Sequence, residues 1–87
     1  MTFLTIITRS YRRPELLTRN VSSVARQTWP DVEHIIWHDP IGHGIEWTHV
    51  HLRDLKPSGE FVMILDDDDW LYDDSVIAQL AAICLEQ

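Results

Sequence analysis

Short apolar runs alternate with amphipathic stretches along this chain. Thr2–Thr8 is rich in β-branched residues and predicts a buried strand. Ser10–Arg13 is a polar loop. Pro14 suits the first turn of a helix reaching about Gln27, with Leu17, Val21, Val24 and Ala25 forming its apolar stripe. Thr28-Trp29-Pro30-Asp31 predicts a turn, and Val32–Trp37 a second strand closed by His38-Asp39-Pro40. A Gly42-His43-Gly44 loop follows. Ile45–Leu55 carries a weaker helical pattern that Pro57-Ser58-Gly59 interrupts. Glu60–Leu65 predicts a third strand, running directly into Asp66–Asp69. Asp74 or Ser75 can cap a last helix, whose stripe is Val76, Ile77, Leu80, Ala81 and Cys84.

Strand–helix alternation of this kind predicts an α/β fold in three layers. A parallel sheet with right-handed crossovers carries helices on its faces. Apolar cores in all three strands suggest burial on both sides. The expected strand order is 2-1-3, with the first strand central. Ligands of such sheets bind beyond the carboxyl ends of the strands. Those ends are Thr8–Tyr11, His38-Asp39 and Asp66–Asp69, so the conspicuous polar residues share one edge.

The chain has 87 residues, which suits a single domain over 1–87. Its net charge of −7 is unevenly spread. Arg9, Arg12, Arg13, Arg19 and Arg26 all lie in the first third, while Asp66–Asp69, Asp73 and Asp74 crowd the last. No broad cationic face exists for nucleic acid. Cys84 is the only cysteine, which excludes an internal disulfide and leaves a Cys-based zinc site without support. It falls on an apolar helix stripe and is expected to pack as a small hydrophobe. No run is apolar for long enough to span a membrane, and the N-terminus lacks the pattern of a signal peptide, so the expected location is cytoplasmic.

Adjacent carboxylates repel and raise one another's pKa. A hard divalent cation such as Mg²⁺ or Mn²⁺ relieves that repulsion through oxygen ligands. In isolation an aspartate run is most simply a solvated loop. Its place after an apolar strand, at the presumed binding edge, favours a metal. Asp39, at the same edge, can accept hydrogen bonds from a base or ribose, or can form an Asx turn before Pro40. Arg9, Arg12 and Arg13 can pair with phosphates, although surface arginines are common. His38 and His43 have no partner at fixed spacing. The four tryptophans are expected to pack, with Trp70 the best placed to stack on a ligand.

Taken in order, several blocks resemble the family 2 glycosyltransferases. Thr5-Ile6-Ile7-Thr8-Arg9-Ser10-Tyr11-Arg12-Arg13-Pro14 is similar to that family's first strand and loop. Ser23-Val24-Ala25-Arg26-Gln27-Thr28-Trp29 is similar to a helix end that carries a Gln-Thr-aromatic triplet. Glu33–Asp39 resembles the second strand with its acidic pair. Gly59–Leu71 resembles the strand entering the Asp-x-Asp motif. The resemblance spans the chain except for roughly residues 40–56.

The resemblance implies a Rossmann-like nucleotide-diphosphosugar transferase (GT-A) core and a metal-dependent transferase using a nucleotide-diphosphate sugar, usually a uridine one. It also implies residue roles. Asp39 would contact the nucleobase, and Ser10 and Tyr11 would lie along the nucleoside. Asp68 would bind the metal, with Asp66 and Asp67 towards ribose or metal. The resemblance assigns no catalytic base to this chain; Asp69 is the residue chosen for that role, and Asp73, Asp74, His38 and His43 remain candidates beside it. The sequence departs from the pattern at His38, which replaces an acid, at Arg9, and in the short link from Asp39 to Asp66. The family's acceptor-binding half has no counterpart here, so the acceptor is unspecified. Donor hydrolysis and a non-catalytic binding module are the alternatives. Apolar surface near the third strand or last helix is expected to support a homo-oligomer.

Overall fold

A computed structural model describes residues 2–43 and 45–85; Gly44 of the expected loop lies outside them. Strand β1 (Leu4–Ser10) is followed by helix α1 (Pro14–Ala25), strand β2 (Val32–His38), helix α2 (Ile45–Val50), a 3-10 turn (Leu52–Leu55), strand β3 (Phe61–Ile64) and helix α3 (Val76–Leu85). The three strands form one parallel sheet in the order β2-β1-β3. An α/β architecture is thus present, with the first strand central.

Strand register explains how the two faces differ. Leu4 pairs with Val32 and Phe61, and Ile6 with His34 and Met63. Paired residues of a parallel sheet point the same way, and successive ones alternate. Leu4 and Ile6 therefore face α1 and α3, where they pack with Val24, Leu71, Ile77 and Ala81. Thr5, Ile7 and Arg9 face the other side with Trp37, and Trp37 stacks on Trp47 of α2 at 4.1 Å. Trp47 in turn stacks on His51 at 3.7 Å.

Only β1 is buried along its whole length. β2 is half-buried up to Trp37, and Phe61 and Val62 of β3 are exposed. Burial of all three strands on both faces, as their composition suggested, is corrected by the topology. In a three-stranded sheet two strands are edges.

The inward face of α1 also departs from its apolar stripe. Ala25 is exposed, whereas Asn20 and Ser23 are buried. Ser23 Oγ donates to the Asn20 carbonyl at 2.7 Å and accepts from Leu71 N at 3.1 Å. The helix packs through hydrogen bonds because it faces a loop, whose backbone groups need partners.

The expected Ile45–Leu55 helix breaks at His51 into α2 and the 3-10 turn, which closes on Lys56 at φ 52°. Capping of α3 falls to Gln27, not to Asp74 or Ser75. Its Oε1 accepts from Ile77 N at 3.0 Å, and its Nε2 donates to the carbonyls of Ser23 and Asp73. Gly59 abuts β1 so closely that a Cβ would collide with the Thr5 backbone.

Candidate functional site

The ladder continues past both edge strands. Asp39 N donates to Ser10 O at 2.8 Å, and Leu65 N donates to Ile7 O at 3.0 Å. The loops after β1, β2 and β3 therefore leave the sheet side by side, at the edge where ligands of parallel sheets bind.

Asp66–Asp69 form a turn closed by Asp69 N to Asp66 O at 3.0 Å. Asn20 of α1 clamps it. Its Nδ2 donates to the carbonyls of Asp66 and Asp69 at 3.0 and 3.1 Å, and its Oδ1 accepts from Thr8 Oγ1 at 3.3 Å. Sequence reasoning missed Asn20. The available signal was an asparagine on a helix interior, where the residue is unfavourable unless its amide has work.

One oxygen from each of Asp66, Asp67 and Asp68 lies within 4.8 Å of the others. Asp67 is fully buried; its Oδ2 accepts from Tyr11 N at 3.0 Å. Arg13 spans the other two oxygens, with Nη2 3.1 Å from Asp67 Oδ1 and Nη1 3.4 Å from Asp68 Oδ2. Asp66 Oδ1 is buried without a hydrogen-bond donor among the described residues, and the buried Asp67 Oδ1 has only the Arg13 guanidinium beside it. Burial raises the Asp66 pKa, and the charges of Asp67 and Asp68 add to that, while a backbone bond and Arg9 oppose it. Asp69 is exposed and does not belong to the converging trio; its backbone is what the turn holds.

A buried, unpartnered Asp66 oxygen beside two further carboxylates suits a hard divalent cation. The donor set would fit Mg²⁺ or Mn²⁺, held by Asp66 and Asp68 with Asp67 alongside.

Asp39 sits apart from that trio and is saturated. Its side chain is fully buried, and it accepts from Arg9 Nη1 at 3.1 Å, from the backbone N–H groups of Ile41, Gly42 and His43, and from His43 Nδ1 at 2.9 Å. These five bonds more than fill the roughly four lone-pair sites a carboxylate offers. Burial alone would push its pKa up; the bonds from His43 and the loop backbone overcome it and hold the group well below the usual range. A ligand contacting the Asp39 carboxylate would have to displace one of these partners. Tyr11 links the two acidic loops. Its backbone binds Asp67, and its ring lies against Gly42, where an added Cβ would be 2.9 Å from it.

Arg9 is buried on β1, paired with Asp39 and close enough to Asp66 to stabilise its charged form. Ser10 is buried and supplies the carbonyl that holds Asp39 N. Arg19 covers the half-exposed Trp70 ring at 3.5 Å and donates to Asp68 O. His38 is exposed, and His43 is committed to Asp39. Asp73 braces Ser75, and Asp74 pairs with Arg26 at 3.4 Å. Of the basic residues of the first third, Arg9, Arg13 and Arg26 pair with acids, while Arg12 lies over the Tyr11 ring. A cavity of about 350 Å³ lies elsewhere, between the end of α1 and the start of β2, lined by Val24, Trp29, Val32 and His34 among others. The aspartates occupy an open edge instead.

No helix is long and apolar enough to cross a membrane among the described residues. No family model matches the chain, and no curated protein or solved structure matches it.

Proposed function

We propose that this chain binds a uridine-diphosphate sugar through a divalent cation and transfers the sugar, acting as a metal-dependent glycosyltransferase with a GT-A type of donor site. The observation that carries the reading is the convergence of Asp66, Asp67 and Asp68 at the carboxyl edge of a parallel sheet, with a buried Asp66 oxygen lacking a donor. The ordered sequence blocks that resemble family 2 glycosyltransferases support it.

In this reading Asp66 and Asp68 hold Mn²⁺ or Mg²⁺, and Asp67 braces the turn against Tyr11 N. A bound cation supplies Lewis-acid stabilisation of charge on the departing diphosphate. Ser10 and Tyr11 lie along the nucleoside. Asp39 serves the base side by fixing the 39–43 loop against the Tyr11 ring. Asp69, exposed beside the trio, is the candidate base that would take a proton from an incoming hydroxyl.

A non-catalytic binding module is the second reading. It is favoured by one observation: Arg13 already pairs with Asp67 and Asp68.

Calorimetric titration with Mn²⁺ and uridine diphosphate tests the site. Asp68→Ala should abolish metal-dependent binding and keep the fold, since Asp68 is exposed and makes no core contact. Unchanged affinity in that variant rules out the metal assignment. Release of uridine diphosphate from a donor sugar, suppressed by chelator and by Asp68→Ala, separates enzyme from binder. Hydrolysis is the minimal activity, because water can reach an open edge. Binding without any turnover favours the module.

A further inference from the structure

We infer that Arg13 is a built-in counter-ion of the aspartate turn, one that a divalent cation must displace; this rests on the metal reading above. The guanidinium fork reaches Asp67 Oδ1 at 3.1 Å and Asp68 Oδ2 at 3.4 Å. Those oxygens belong to the two carboxylates that converge with Asp66. Without Arg13, three acidic groups within 4.8 Å would face one another beside two cations already engaged elsewhere: Arg9 on Asp39, and Arg19 on the Trp70 ring and the Asp68 carbonyl.

Backbone geometry delivers the side chain to this position. Arg12 adopts the left-handed region at φ 54°, which is costly for a residue with a Cβ. That bend sets Arg13 immediately before Pro14, where its carbonyl accepts from Leu17 N at 2.9 Å as α1 begins. The two ends of the contact differ in freedom. The Asp67 side chain is fully buried and anchored on Tyr11 N, whereas the Arg13 side chain is 37% exposed. Arg13 is therefore the partner able to leave. Cation and guanidinium compete for the same oxygens, and competition of this kind is reciprocal: each weakens the other's hold.

The test is Mn²⁺ titration of the full chain by calorimetry, with paramagnetic resonance of free Mn²⁺ as a second readout and no nucleotide present. Arg13→Gln should bind Mn²⁺ about tenfold more tightly than the wild type, as expected from removing a positive charge near the ion. Its metal-free melting temperature should fall, and the rise on adding Mn²⁺ should exceed that of the wild type. Arg13→Lys keeps the charge and should stay nearer the wild-type affinity. This variant also carries the comparison if Arg13→Gln fails to fold: equal or tighter binding than the wild type is expected of a weakened competitor, and looser binding overturns the inference. Mn²⁺ binding by the wild type that is unchanged or weakened in Arg13→Gln overturns it while leaving the metal site standing. Absence of Mn²⁺ binding in the wild type and both variants overturns the inference and the metal reading together.

Discussion

Asp39 and Asp66 both follow strands that flank β1, yet their carboxyl groups shift in opposite directions. The loop backbone and His43 hold Asp39 ionised, whereas burial beside Asp67 and Asp68 disfavours the charge on Asp66. Each has its own stability signature. Asp39 ionises more readily in the folded chain than in the unfolded one. Its contribution is complete above the unfolded pKa of about 3.9 and is lost as pH falls through the lower folded value. For Asp66 the sign reverses. Its ionised form opposes folding, and that opposition fades as pH falls through its raised pKa. Urea unfolding at pH 7, 5 and 3.5 tests both. Asp39→Asn should be less stable than the wild type at pH 7, with the gap only beginning to narrow by pH 3.5. Asp66→Asn should be more stable than the wild type at pH 7 while losing Mn²⁺ binding. Parallel pH profiles for all three proteins would exclude both assignments.

Helix α1 decides where the aspartate turn sits. Asn20 is fully buried and meets three polar groups: Thr8 Oγ1 and the carbonyls of Asp66 and Asp69. Asn20→Ala strands these groups and should cost about 2 kcal/mol, with weaker Mn²⁺ binding because the turn loses its clamp. A stability change within about 0.5 kcal/mol would show that the turn holds without it. The element order was legible because the apolar runs are short, those of β2 and β3 being bounded by Pro, Gly or Asp, and the expected 2-1-3 arrangement is the one observed. The polar face of α1 was not. Its apolar stripe points to packing alone, and nothing local shows that Asn20 and Ser23 serve a loop some fifty positions away. Gln27 escaped for a related reason: its three bonds join α1, the 73–75 turn and α3, so its role exists only once those elements meet. Of the site, the edge and the aspartates were legible. The saturation of Asp39 was not, because it depends on Arg9 arriving from β1 and on the course of the 39–43 loop.

At the scale of the whole molecule, the chain is flattened, with extents of 41 × 27 × 16 Å, and its fully buried apolar side chains are few. Exposed apolar residues include Phe61 and Val62 of β3, Tyr72, and Ile83 and Leu85 of α3, besides Ile41 before α2 and Val50 at its end. β3 pairs with β1 alone among the described residues, so its outer edge presents free backbone donors and acceptors. Such an edge is a template for another strand, and a twofold axis beside it would pair β3 with its own copy in antiparallel fashion. The opposing effect is the net charge of −7 on each chain, which repels a second copy. Salt decides the balance. Charge repulsion between surfaces is screened beyond about 8 Å at 0.15 M, while apolar burial is not weakened. The expected outcome is self-association that strengthens as sodium chloride rises from 20 to about 300 mM, measured by light scattering at micromolar concentrations. Val62→Lys should shift the mass towards the monomer, since a lysine on an edge strand blocks pairing. Val62 is 43% exposed, so this substitution should leave the monomer's own stability within about 0.5 kcal/mol. A wild-type chain that stays monomeric across that salt range would mean that the β3 edge is too short to pair. Association that survives Val62→Lys would move the interface to the exposed side chains of α3, where Ile83→Lys is the corresponding change.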